Sequence, residues 1–541
     1  MEDLLSVELT IVELLLLVSV VAMFARWIRI PYTVVLVLVG LLLSFSDPFH
    51  LELTPEIILL IILPPLVFEA ALHIEVKILR KVIGPVVLLA IPGVLIVTFM
   101  VGGILNLVSS QIQWQTALIF GALIAATDPV AVVSLFKTLG APKRLATLVE
   151  SESIFNDGTT IVIFNIMVGV LFVSAVTGHG GGGIVDGDVV DFIGRSIFEF
   201  LRVALGGVAI GVAIGIVGDR IFSMIDDHLI EVTVSTVIAY GSYVLAESFH
   251  MSGVLAVVMA GIIVGMRSSG TMSPTTRMVL INFWEYVAFL ANSIVFILIG
   301  MEVHFSTLVA GFFLIIVAVG AVLLARAVSV YGLSFINNIF SKEKVSFRYQ
   351  HVLFWGGLRG AVSLALVLSL NRNIPQRDIL INMTFGVVLF TLLVQATTIS
   401  GLMNRLGLTG RPQRELDYEQ IQGRLLAARS ANRRLRELHD AGVLDPHAWD
   451  VVGQQLGERI AVLQVELTEF ATSNPAVVEK IIHSTEREVL RTERSAIMDL
   501  QREGVISESV AEDLYEEIDI AMDESLNPEP LPVDAESGSE V

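Results

Sequence analysis

The chain has no cysteine in 541 residues. Disulfide frameworks, thiolate metal centres and cysteine nucleophiles are therefore excluded, and the redox compartment leaves no mark on the sequence. Charge is also scarce: 16% of residues are Asp, Glu, Lys or Arg against 54% hydrophobic, and the mean hydropathy is +0.77. That balance is too apolar for a water-soluble globule and points to a membrane protein. The opening Met-Glu-Asp lacks the basic stretch and small-residue cleavage site of a secretory signal, so the first apolar run is expected to stay as a transmembrane helix. No GxGxxG follows a strand pattern, which argues against a nucleotide-binding regulatory domain.

What charge there is lies unevenly. The formal net charge is −20, and residues 411–541 hold 28 Asp and Glu against 13 Lys and Arg. An acidic tail of this kind argues against nucleic acid and against docking on anionic lipid. The expected organisation is a membrane domain over residues 1–410, an acidic helical cytoplasmic domain over 411–525, and a disordered C-terminus over 526–541. The tail holds a weak internal echo: "LHDAGVLDPHAWDVV" (438–452) and "LQREGVISESVAEDL" (500–514) align at an offset of 62. Each reads as a helix end with a glycine cap, followed by an Asp or Ser that starts the next helix.

A bilayer core takes about 20 apolar residues per helix. On that basis there are about thirteen spans, near 7–27, 31–45, 55–73, 82–107, 114–136, 145–175, 191–218, 229–249, 251–266, 277–301, 306–335, 349–371 and 378–403. Basic residues collect in alternate connections: Arg26 and Arg29; Lys77, Arg80 and Lys81; Lys137, Lys143 and Arg144; Arg220; Arg267; Lys342, Lys344 and Arg348. Arg195, Arg202, Arg372 and Arg377 run against this pattern, but the majority puts the N-terminus outside and the tail in the cytoplasm. The loop "HGGGGIVDGD" (179–188) follows no strand and reads as a connector rather than a phosphate cradle. Gly207, Gly211 and Gly215 recur every four residues, a spacing for close helix packing.

Charged side chains inside a bilayer need a partner or a task. At 1.5 Å of rise per residue, Asp157, Asp128, Glu69 and Arg359 all reach roughly 15–21 Å into a core about 30 Å thick. Two of the spans concerned look broken. "AATDPVAVV" (125–133) sets a proline directly after Asp128, and "FWGGLRGAV" (354–362) surrounds Arg359 with glycines. They lie seven spans apart, so one is inverted relative to the other. Paired broken helices in inverted halves are the best sequence pointer to a transporter's binding site. On the sixth span Ser153 and Asp157 share one helical stripe, while Glu152 and Asn156 share the next. One stripe offers oxygen ligands suited to a hard monovalent cation or a proton; the other anchors the helix, with Glu152 expected to pair with Arg359. Glu69, in "LPPLVFEAAL" (63–72), is either a ligand or gate or a packing carboxylate. His73 and Glu75 are expected at the cytoplasmic end of that helix, without a function.

Four motifs in order, "LPPLVFEAAL", "ATDPVAVVSLF" (126–136), "ESESIFNDGTTIVIF" (150–164) and "FWGGLRGAVSLAL" (354–366), resemble the monovalent cation:proton antiporters of the NhaP/NHE branch. The likeness spans roughly residues 7–405. It implies a dimer of all-α, thirteen-helix protomers with inverted repeats and two crossed, broken helices. It assigns cation binding to Asp157, Ser153 and the Thr127 backbone, with Glu69 nearby. Asp128 and Asn156 stabilise the crossing in that pattern, and Glu152 with Arg359 forms a buried pair. The adjacent Asn156-Asp157 resembles the electroneutral branch. The expected function is sodium/proton exchange across the plasma membrane by alternating access, with no enzymatic activity and no cofactor beyond the transported ions. Potassium/proton exchange is the alternative within the class; a cation channel or a cation sensor would come from outside it. The expected partners are the lipid bilayer, a second copy of the chain, and a regulatory ligand or protein at the tail.

Overall fold

The structure is a computed structural model that describes residues 12–24, 31–44, 54–109, 112–176, 188–224, 227–271, 274–302, 305–341, 343–409, 413–502 and 505–524. Among these residues every regular element is helical. The glycine-rich loop and the C-terminus expected to be disordered lie outside the described residues. The chain divides into two units, Met1–Thr409 and Gly410–Val541.

In the first unit helices occupy each segment expected to span the bilayer. They are α1 (Val12–Phe24), then α2 (Tyr32–Leu43), α3 (Leu63–His73), α4 (Val76–Ala90), α5 (Pro92–Val108), α6 (Trp114–Leu123), α7 (Val130–Leu139) and α8 (Lys143–Val176). There follow α9 (Asp188–Phe222), α10 (His228–Ser248), α11 (Gly253–Thr271), α12 (Pro274–Met301), α13 (Phe305–Ala310), α14 (Phe312–Phe340), α15 (Phe347–Trp355), α16 (Ala361–Leu368), α17 (Arg377–Phe390) and α18 (Ala396–Arg405). By length and composition, six of the described helical segments are long and apolar enough to cross a membrane, with α4–α5 and α17–α18 each counted as one, and six shorter apolar ones accompany them. The expected fifth span is the pair α6 and α7, and the twelfth is α15 and α16.

Local chemistry explains the interruptions. Pro129 has no N–H, so the carbonyl of Ala125 loses the donor four residues on and the helix stops after Leu123. Gly356, Gly357 and Gly360 weaken helix on the other chain segment, which ends at Trp355 and resumes at Ala361. Two wider, π-type turns lie beside these breaks, Ile57–Ile62 leading into α3 and Thr391–Gln395 between α17 and α18. The glycine stripe of α9 packs on α11: a Cβ on Gly211 would run into the Ala256 carbonyl.

Three of the connections expected on one side of the membrane meet. Lys143 at the start of α8 pairs with Glu75 between α3 and α4 at 2.8 Å, and Arg144 pairs with Glu343 after α14 at 2.9 Å. The loop-charge reading thus placed these three segments on a common face.

The second unit is two helical hairpins, α19 (Gln413–Asp440) with α20 (Pro446–Ser473), and α21 (Pro475–Arg502) with α22 (Glu508–Glu524). Their turns repeat the same bond. The Val443 N–H donates to the Leu438 carbonyl at 3.1 Å and Val505 to Leu500 at 2.9 Å, at the offset of 62 that the sequence echo shows. Gly442 takes a left-handed φ of 69°, as a helix C-terminal cap needs. Asp445 then caps α20 by accepting from the His447 and Ala448 amides.

Candidate cation site at the helix crossing

The two breaks cross each other and are tied backbone to backbone. The Asp128 amide, released from helical bonding, donates to the Leu358 carbonyl at 2.8 Å. A Cβ on Gly360 would fall on the Asp128 carboxylate, so only glycine allows the two interrupted segments to approach this closely. Asp128 also starts the second half-helix: its Oδ1 accepts from the Val130 amide at 3.0 Å, at the positive end of α7.

The carbonyls orphaned by Pro129 are taken up by side chains. Arg359, fully buried, donates from Nη1 to the Ala125 carbonyl at 2.8 Å and to Ala126 at 2.9 Å. Asn156 donates from Nδ2 to the Ala125 carbonyl at 3.0 Å and to Thr127 Oγ1 at 2.9 Å, and it accepts from Thr160 at 3.0 Å. The Arg359 amide donates to Thr391 Oγ1 at 3.1 Å, where the π-type turn begins. Asn156 and Arg359 therefore hold the crossing open rather than lining it.

Glu152 departs from expectation. Its partner is Arg326 in the middle of α14, with Nη1 to Oε1 at 2.8 Å and Nη2 to Oε2 at 3.1 Å, not Arg359. Depth along the helix pointed to Arg359, but the Glu152 stripe of α8 faces Arg326 of α14, while Arg359 turns its Nη1 to the α6–α7 break. Arg326 also donates to the Leu353 carbonyl at 3.1 Å, which ties α15 to the same pair.

The remaining stripe of α8 faces a cavity of about 70 Å³. Thr127, Asp128, Ser153 and Asp157 line it, together with Asn292 of α12 and apolar side chains of α3. The Ser153 hydroxyl donates to the Thr127 carbonyl. Asp157 is 9% exposed, and its Oδ1 is buried with no hydrogen-bond partner. A carboxylate oxygen, a hydroxyl oxygen and a carbonyl oxygen thus gather at one small chamber, a donor set that suits a hard cation. Glu69 is not on this wall. Its Oε1 lies 3.2 Å from His73 Nδ1.

Three side chains of the site escape the sequence reading. Arg326 carries the same signal that exposes Asp157, a lone charge in a long apolar helix, and that rule suffices to find it. Asn292 and Thr391 are neutral and leave no such trace.

The match to a family is direct. Residues 14–405 fit the family model described as "Sodium/hydrogen exchanger, transmembrane". The chain belongs to that family. Among its relatives, the Na(+)/H(+) antiporter ApNhaP of Aphanothece halophytica is 40% identical over 432 residues, covering 80% of this chain and 78% of the relative. The low-affinity Na(+)/H(+) antiporter NhaS1 of Synechocystis is 36% identical, covering 89% of this chain and 90% of its own. In fold this sodium/hydrogen exchanger resembles the sodium proton antiporter MjNhaP1 of Methanocaldococcus jannaschii, at a TM-score of 0.59 and 24% identity over 75% of this chain and 99% of that one.

Proposed function

We propose that this chain is a multi-pass membrane antiporter that exchanges one sodium ion for one proton at Asp157. The observation that carries the reading is the buried, unpartnered Oδ1 of Asp157 in the chamber it shares with Ser153 and Thr127. A carboxylate there offsets its desolvation by holding either a cation or a proton, never both, so each passage carries one or the other.

Charge counting supports a one-for-one, electroneutral cycle. Three carboxylates, Glu152, Asp128 and Asp157, stand against two guanidinium groups. Arg326 neutralises Glu152 in a bidentate pair. Arg359, within electrostatic reach of Asp157, balances one more negative charge. One negative charge is left over, and either a sodium ion or a proton cancels it.

In this reading Ser153 and the Thr127 carbonyl supply neutral oxygens to the cation. Asp128 and Asn156 hold the crossing that presents those oxygens, and Glu69 attracts cations towards the chamber. Two half-helices meeting at the centre suit alternating access, in which the crossing and its neighbours shift against the rest of the membrane unit. A dimer in the plasma membrane, with the N-terminus outside and the acidic tail in the cytoplasm, completes the picture. The helical hairpins of the tail act as a regulatory element for a ligand or protein partner. Potassium in place of sodium has no support in the named relatives.

The deciding experiment imposes a sodium gradient on proteoliposomes holding the full chain and follows bulk proton movement. Coupled proton flux that persists with the membrane potential clamped at zero is expected. Sodium flux without proton counterflow would point to a channel and overturn the reading.

A further inference from the structure

A second group of potential ligands stands at the end of α3, away from the crossing. Glu69 and His73 lie one turn apart on that helix, and Glu285 reaches them from α12. One ligand atom from each lies within 4.8 Å of the others, and no other group of three His, Asp or Glu side chains is so placed among the described residues. We propose that Glu69, His73 and Glu285 form a site for a divalent transition-metal ion such as zinc, whose binding fastens α3 to α12 and blocks exchange.

The histidine is set up as a ligand. Its Nδ1 lies 2.9 Å from the Glu69 backbone carbonyl, an oxygen that can only accept. Nδ1 therefore carries the hydrogen, and in the neutral ring Nε2 presents a lone pair. An imidazole whose other nitrogen donates to a backbone carbonyl is the arrangement that stands behind metal-ligating histidines. Nε2 faces Glu285 Oε1 across 3.8 Å. Glu69 Oε1 lies 3.2 Å from Nδ1, at the other edge of the ring, and must turn towards Nε2 to complete the site.

One imidazole nitrogen and two carboxylates suit zinc or cobalt, and the nitrogen counts against magnesium and calcium. Three protein ligands leave a fourth position to water. Lys137, 63% exposed, lies 3.9 Å from Glu285 Oε1 and must swing away when the metal binds.

Occupancy would reach the transport chamber through the walls. Leu66, Val67 and Ala70 of α3 line that chamber, and so does Asn292, two turns along α12 from Glu285. A metal bridging the two helices holds both walls together and withdraws the Glu69 carboxylate.

The test titrates zinc onto the purified full chain by calorimetry, with cobalt absorption as a second readout. With no cysteine in the chain, thiolates contribute no background. Saturable binding of one ion per chain is expected, weakened by about 10-fold or more in Glu285→Gln and in His73→Gln. Zinc should also inhibit sodium-dependent proton flux in proteoliposomes, with the same shift in both variants. The flux arm rests on the exchange reading, whereas the binding arm does not. Absence of saturable binding, or binding that both variants leave unchanged, overturns the site. Binding that leaves flux untouched overturns the block.

Discussion

Arg326 holds Glu152 through both terminal nitrogens of its guanidinium group, deep between α14 and α8, with 4% and 2% of the two residues exposed. Such a pair adds little net stability over an apolar replacement, but breaking it strands a charge. Glu152→Gln and Arg326→Met should each lower stability by about 3–5 kcal/mol. The double variant should recover much of that loss. Thermal unfolding of the detergent-purified protein measures all three, and single variants as stable as the parent would refute the pairing.

The contact between Gly360 and Asp128 predicts a substitution that is small in volume and large in effect. Gly360→Ala drives a methyl group into the Asp128 carboxylate and should abolish exchange together with a fall in melting temperature. Gly320→Ala, on a helix surface with open space at that position, should leave both unchanged or raise stability slightly. Comparing the two under identical conditions separates the crossing from a general intolerance of alanine.

At the chamber, Asp157→Asn removes the only group proposed to exchange a proton and should eliminate coupled flux while the protein still purifies as a folded species. Ser153→Ala removes one neutral oxygen and should weaken sodium affinity only in part. Since proton and sodium compete for one carboxylate, the sodium concentration giving half-maximal flux should rise as pH falls. Sustained exchange by a verified Asp157→Asn protein would sink the mechanism.

Among the described residues, those that line the chamber all belong to the first unit. Ending the chain after Arg411 should therefore leave sodium-dependent proton flux measurable and alter its rate or pH profile. A folded, membrane-inserted truncation without any flux would give the tail a direct part in transport.

Much of this was legible in the residues. Proline after Asp128 and glycines around Arg359 announce the two breaks because both act through the backbone, where sequence speaks plainly. The stripe of Ser153 and Asp157 follows from helical spacing alone, and it faces the chamber as that spacing implies. Pairing is another matter. Depth along a helix can be counted, but the direction in which a side chain points around the bundle depends on how helices pack. For this reason Glu152 met Arg326 rather than Arg359, and Glu69 turned to His73 instead of the chamber. The tail shows the opposite case: a faint echo of letters corresponds to the same turn bond made twice.

The bond from Ser153 to Thr127 fixes a polarity as well as a position. A hydroxyl has one hydrogen, and here it is committed to the Thr127 carbonyl. What Ser153 turns to the chamber is then lone pairs alone, beside the bare Oδ1 of Asp157. While Asp157 is ionised, neither of these two groups can donate to a chloride or a hydroxide ion, and the carboxylate repels both. That wall of the chamber therefore favours cations by charge and by one committed hydrogen together, and on the Asp157 side the preference lapses when the carboxyl takes a proton and becomes a donor itself.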